Sequence, residues 1–227
     1  MAKPRIIVFV SGTKDGGGSG FENLAKSADL DAEIVAVVSN HEHGGVRARA
    51  SNLGIPFIFF PGPYHAEAYA SVLQKTGMTN KDWVVLSGWL KKIEGLDPAR
   101  TFNIHPALLS FDSGRFGGKG LYGHRVHDAV ADALAKGEIT SSGFSMHFVT
   151  DEYDRGPLFF EYTVPLTKGM IADEIAKAVN VVEHEWQPKI TNMVVHGEIL
   201  WDGKNPESLT VPEDYSFLPT RFTLPFV

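Results

Sequence analysis

Asn103 and His105 stand two residues apart in the stretch "TFNIHPALLSF" (101–111), an amide and an imidazole among apolar neighbours. Residues two apart in a strand point to one face, so the two polar groups face together while Ile104 turns the other way into packing. Pro106 removes a backbone donor and ends the ladder, which places the pair at the carboxyl end of a strand. Open parallel sheets form their sites along that edge. A lone histidine in an apolar run is more often a hydrogen-bonded core residue. The amide on the same face gives the chemical reading equal weight.

Three further stretches carry polar groups at places where chemistry could use them. "DEYDRGP" (151–157) follows a strand ending at Thr150, and a carboxylate there can reach a neighbouring strand end and hold an imidazolium. Residue chemistry does not choose among Asp151, Glu152 and Asp154, and Gly156 and Pro157 also suit a plain solvated turn. The loop "SGTKDGGGSGF" (11–21) lies between the first strand and the first helix. Backbone N–H groups at such a helix start bind a phosphate or another anion. No Gly-Lys-Ser/Thr closes the loop as a Walker A motif would, and GxGxxG fits Gly12 to Gly20 only loosely. Glu183 sits beside the apolar stripe of a late helix, either at the solvent boundary or facing a ligand. The pairs His41/His43 and His124/His127, the latter with Asp128, lack a convincing third ligand; surface polarity accounts for them, and no metal is expected.

The elements that must position these groups follow a βα rhythm. Runs 5–11, 33–39, 56–60 and 82–88 are rich in β-branched and aromatic residues, as in strands covered on both faces. Helices are predicted near 21–29, 44–53 and 64–76. In the second half the spacing of Val126, Ala129, Val130, Ala133 and Leu134 predicts a helix over 123–137, ended by Gly137. Strands follow over 141–150 and 157–166, joined by a tight polar turn. A longer helix begins near Gly169 or Met170 with Ile175, Val179, Val182 and Trp186 on one face. The expected fold is α/β: a doubly wound, mostly parallel sheet of about seven strands with helices on both faces and one antiparallel strand in the second half. Residues 1–205 read as one domain and 206–227 as an extended, Pro-rich tail that packs on the surface or is partly mobile.

Composition narrows the function classes. A chain of 227 residues buries about 70% of its unfolded surface and needs no covalent staple. The absence of cysteine excludes disulfides, thiolate metal sites and a thiol nucleophile. The apolar run before Ser11 is too short for a signal peptide or membrane span, so the cytoplasm is the expected location. A net charge of −6 argues against a broad grip on nucleic acid but leaves room for a local pocket for one phosphorylated ligand. The oligomeric state stays open.

"FNIHPALL" (102–109), preceded by "VVLSGWLKKI" (84–93) and followed by "SMHFVTDEYDRGP" (145–157), resembles the folate-dependent formyltransferase superfamily. Within it, the likeness is to the branch that formylates glycinamide ribonucleotide. The likeness runs from about Arg5 to Pro188. It implies a formyltransferase fold with Asn103, His105 and Asp154 as the catalytic set. It implies phosphate binding at Gly17, Gly18, Ser19 and Gly20. It places the folate against Leu90, Lys91, Ile93, Val149 and Thr150, and the ribonucleotide against Glu183. The implied substrates are 10-formyltetrahydrofolate and glycinamide ribonucleotide, the reaction belongs to purine biosynthesis, and neither nucleic acid nor membrane is a partner. An amine attacks the formyl carbon, and Asn103 with a protonated His105 would receive the charge gathering on the formyl oxygen, with Asp154 favouring the imidazolium.

The sequence departs from that pattern in two loops. Gly20 stands where the family usually has Asn, in a longer loop, and 110–124 is rich in glycine without the usual prolines. Arg115 and Lys119 there could assist a phosphate, though a mobile solvated lid is the plainer reading. These changes touch acceptor recognition, so a sugar-nucleotide N-formyltransferase and a non-catalytic folate or nucleotide binder are the alternatives. A methionyl-tRNA formyltransferase would need a further basic C-terminal domain, and a formyltetrahydrofolate hydrolase an N-terminal regulatory one.

Overall fold

Strand β1 (Arg5–Phe9) shows why the chain builds a three-layer sandwich. Ile6 and Val8 enter one apolar cluster and Ile7 and Phe9 another, all fully buried. A strand that is apolar at every position needs cover on both faces. The first cluster is closed by α1 (Ser19–Lys26), α2 (Gly45–Leu53), α4 (His124–Ala135) and α5 (Ala172–Val195). The second is closed by α3 (Ala66–Lys75) through Tyr69 and Val72, together with Phe60 and Trp89. The structure is a computed structural model that describes residues 2–14 and 16–218.

The seven strands are ordered β3-β2-β1-β4-β5-β6-β7. Here β2 is Glu33–Ser39, β3 Phe57–Phe59, β4 Trp83–Ser87, β5 Thr101–His105, β6 Ser141–Phe148 and β7 Leu158–Pro165. Pairings from β3 through β5 are parallel, and β6 runs antiparallel to both its neighbours. The α/β, mostly parallel architecture expected from the βα rhythm is therefore present, with β6 as the one reversed strand. The chain winds outward from β1 to β3, then returns to start β4 on the other side of β1. That reversal opens a crevice at the carboxyl ends of β1 and β4, where doubly wound sheets bind ligands.

Two local expectations are corrected. The link between β6 and β7 is not a tight turn: residues 149–157 form a long excursion that climbs back over the sheet edge. The 110–124 segment is not a solvated lid. Phe116 is buried and stacks on Phe111 at 5.6 Å, and Arg115 pairs with Glu138. Past α5, Thr210 bridges to Leu200, and the Phe217 ring lies 4.8 Å from Trp186 while its carbonyl accepts from Glu161 N–H. The last residues of the expected tail, 219–227, lie outside the described residues. No helix among the described residues is long and apolar enough to cross a membrane.

Phe102 anchors the strand that carries the candidate pair. It is fully buried, with edge contacts to Trp83 at 6.2 Å and Phe159 at 5.9 Å. Phe102→Ala should lower the unfolding free energy by about 3–5 kcal/mol, measured by urea denaturation. A loss under about 1 kcal/mol would show that β5 is not held by this cluster.

Candidate active site

The antiparallel register of β5 and β6 sets the centre of the site. It places His147 opposite Asn103 and Ser145 opposite His105. The 149–157 excursion then brings Asp154 back to the same place, with Asp154 itself in the left-handed region at φ 54. A non-glycine residue there carries backbone strain of order 1–2 kcal/mol, which local contacts must offset.

Those contacts are specific. Asn103 Nδ2 lies 3.4 Å from Asp154 Oδ1 and 3.1 Å from His147 Nε2. His147 Nδ1 donates to the Phe148 carbonyl at 2.8 Å, so in the neutral ring Nε2 is the acceptor for the Asn103 amide. The Gly118 N–H donates to Asp154 Oδ2 at 2.8 Å. His105 Nε2 donates to the Phe116 carbonyl at 2.7 Å, which assigns its proton to that nitrogen. His105 Nδ1 stands 3.6 Å from Asp154 Oδ2, beyond hydrogen-bond length.

The charges follow from this geometry. Burial alone would raise the Asp154 carboxyl; the His147 contact, the nearby imidazoles and the Gly118 N–H together hold it well below the usual carboxylate range. Burial pushes the His105 imidazole down, and the opposing pull of Asp154 and the Phe116 carbonyl does not restore it. The free protein therefore holds an ionised Asp154 beside a neutral His105 with its hydrogen on Nε2. The sequence-based expectation of an imidazolium favoured by Asp154 has the sign of that one interaction right, but desolvation outweighs it.

A cleft of about 460 Å³ opens beside these groups. Leu90, Lys91, Ile93, Val149 and Thr150 all line it, together with Asn103, His105 and Asp154. A second cavity of about 420 Å³ lies between α1, α4 and α5, and Pro106 lines both. Ser19 and Glu183 line the second cavity; Gly17, Gly18 and Gly20 do not, and instead build the turn that starts α1. Gly18 caps that helix at φ 83 without a side-chain hydrogen bond, so the first N–H groups of α1 remain available to an anion. Gly20 has a packing reason: a Cβ there would sit 2.8 Å from Ser87 Oγ and 3.4 Å from Glu183 Oε1. Among the described residues, no group of three or more His, Cys, Asp or Glu side chains is arranged to hold a metal.

Sequence reasoning gave no role to His147, nor to the backbone of Phe116 and Gly118. His147 could have been found by pairing the two strands antiparallel and reading across from Asn103. The two backbone groups had no signal in residue type.

Residues 4–191 match the model of the formyl transferase family, and the chain belongs to that family. Its relatives include the chloroplastic phosphoribosylglycinamide formyltransferase of Arabidopsis thaliana, 33% identical over 213 residues that cover 88% of this chain and 68% of that one. The phosphoribosylglycinamide formyltransferase of Escherichia coli K12 is 30% identical over 207 residues, covering 86% of this chain and 88% of that one. Within the family, the chain thus groups with the phosphoribosylglycinamide formyltransferases. The fold matches the crystal structure of phosphoribosylglycinamide formyltransferase from Anaplasma phagocytophilum with a TM-score of 0.73 at 23% identity, over 95% of this chain and 97% of that one.

Burial raises the Glu183 carboxyl to about 7. A raised folded-state pKa contributes stability that is present below the unfolded value and lost as pH rises through the folded one. Glu183→Gln should therefore match the wild type near pH 5 and exceed it by roughly 2 kcal/mol at pH 8, in denaturation curves taken across that range. Parallel pH profiles for the two proteins would rule out a buried, proton-holding Glu183.

Proposed function

We propose that this protein transfers the formyl group of 10-formyltetrahydrofolate to the amine of glycinamide ribonucleotide in purine biosynthesis, within a single domain over 1–205, in the cytoplasm. The observation that carries this reading is the pair of cavities meeting at Pro106. One holds the side chains expected to grip a folate, with Asn103, His105 and Asp154 at its inner end. The other holds Ser19 at the start of α1 and Glu183, as a phosphorylated acceptor requires. Two reactants seated in the two cavities bring amine and formyl carbon together beside His105, and such alignment supplies several kcal/mol of the barrier reduction.

The chemistry then proceeds through the groups at the inner end. The acceptor nitrogen forms a bond to the formyl carbon, and the carbonyl electrons move to oxygen. Asn103 Nδ2 and His105 Nε2 are the donors to that oxygen. Both are engaged in the free protein, Asn103 with His147 and Asp154, His105 with the Phe116 carbonyl. The 3.4 Å contact from Asn103 to Asp154 is the longer of its two and is given up first. Each donor to an oxyanion is worth about 3–4 kcal/mol. As negative charge grows on the oxygen, His105 Nδ1 takes up through water the proton that the attacking amine releases, and the ionised Asp154 stabilises the imidazolium so formed and orients the ring. Collapse of the intermediate breaks the bond to the folate nitrogen, and the same proton passes from His105 through water near Asp154 to that leaving nitrogen.

Purified protein with 10-formyltetrahydrofolate and glycinamide ribonucleotide should turn over, and His105→Ala should lower kcat by roughly two orders of magnitude, as for other lost oxyanion donors. Binding of both ligands without product would sink the enzymatic reading. Turnover with an amino-sugar nucleotide in place of glycinamide ribonucleotide would reassign the acceptor.

A further inference from the structure

His127 lies in the first turn of α4 and was expected to be a polar surface residue. It is instead 8% exposed, packed edge-on against His124 at 6.2 Å, and it lines the second cavity opposite Ser19. Its Nδ1 is buried with no hydrogen-bond partner, and Nε2 makes no hydrogen bond to any described residue. Burial first, then the neighbouring charges of His124 and His105, push the imidazole down to about 4, against a smaller pull from Asp128. At neutral pH the ring is uncharged and carries one donor and one acceptor, and the group at Nδ1 is unused.

Buried polar side chains are nearly always paired, and an orphan at a cavity wall calls for a partner that comes from outside. The rest of the wall says what kind. Ala176, Val179, Asn180 and Glu183 recur at helical spacing on one side of α5, and that stripe turns from apolar to polar where it faces the cavity. Lys177 adds a cation that makes no ion pair among the described residues, and Ser19 begins α1 with its uncapped N–H groups. Together these groups suit a ligand with a phosphate at one end, hydroxyl groups in the middle and a polar end near Pro106.

We propose that His127 is an acceptor-recognition residue, whose imidazole hydrogen-bonds the hydroxyl or amide groups of a phosphorylated ribosyl ligand held between α1, α4 and α5. The inference rests on the acceptor assignment above and adds a specificity-determining contact to it. It also has a consequence that a structural role would not have. Since the ring is unpartnered in the free protein, an apolar replacement of similar shape removes an unsatisfied group rather than a bond.

The test compares wild type with His127→Phe and His127→Gln. His127→Phe should raise KM for glycinamide ribonucleotide at least tenfold, leave KM for 10-formyltetrahydrofolate within twofold, and keep or raise the thermal unfolding midpoint. His127→Gln, which can still donate and accept, should recover part of the loss. An unchanged acceptor KM in His127→Phe overturns the proposal, and so does a lowered midpoint with both KM values altered. Calorimetric titration with ribose 5-phosphate separates this inference from the reaction itself. If wild type binds it and His127→Phe binds it tenfold more weakly, the recognition role stands even where turnover of glycinamide ribonucleotide fails. Equal binding by the two proteins overturns it.

Discussion

A single buried carboxylate organises the site. The Asp154 side chain is only 12% exposed and ionised, and no lysine or arginine neutralises it among the described residues. A charge withdrawn from water without hydrogen bonds costs several kcal/mol, so the surrounding chain must supply them. It does so from two directions: strand β5 brings the Asn103 amide, itself held by His147 of β6, and the 110–124 segment brings the Gly118 N–H. Each provider constrains the fold around it. The β5–β6 register must place His147 across from Asn103, the 149–157 excursion must accept a left-handed Asp154, and the glycine-rich segment must approach closely. A Cβ on Gly117 would run into Leu109 and come within 3.2 Å of the Asp154 Cβ. Gly117 is therefore a packing requirement of the carboxylate.

The reversal of strand order places two cavities around this charge. Because β4 returns beside β1, the loop after β1, the residues after β4 and the end of β5 share one edge of the sheet. The first leads into α1 and the smaller cavity, and the second forms a wall of the larger cleft. Pro106, at the end of the third, is the partition between them. The same proline ends β5, so the residue that terminates the strand also sets the boundary across which the formyl group would pass.

Much of this was legible in the sequence, for reasons that differ by element. Continuous apolar runs such as 33–39 announce strands covered on both faces, and the match to β2 is residue for residue. Period-two alternation sufficed to put Asn103 and His105 on one face opposite Ile104. Local rules fail where direction depends on distant contacts. The choice among Asp151, Glu152 and Asp154 turns on a left-handed residue in a long excursion, and only the family likeness singled out Asp154. His147 needed the pairing register, which is a tertiary fact. The 110–124 segment read as solvated because glycine and charge dominate it, whereas two stacked phenylalanines decide its place. His127 was lost for the opposite reason: a polar residue at a helix start looks exposed unless the neighbouring cavity is known.

The departures from the family pattern follow one logic. At Gly20 a Cβ would press on Ser87 Oγ at 2.8 Å, and the start of α1 offers backbone N–H groups where the family pattern has an Asn amide. At Gly118 a backbone N–H serves the Asp154 carboxylate, and at Phe116 a backbone carbonyl holds the His105 imidazole. Backbone groups cannot titrate, which leaves the titratable ones to be set apart by environment. Asp154 is held ionised by its donors, while Glu183 is raised to about 7 and His127 lowered to about 4 by burial. The second cavity thus loses its carboxyl charge as pH falls below about 7. The first cavity keeps a permanent carboxylate beside a neutral imidazole, the two set apart by their surroundings. The two carboxyl groups on either side of Pro106 are thus displaced in opposite directions along one sheet edge, which is what the proposed seating of an anion beside the transfer calls for.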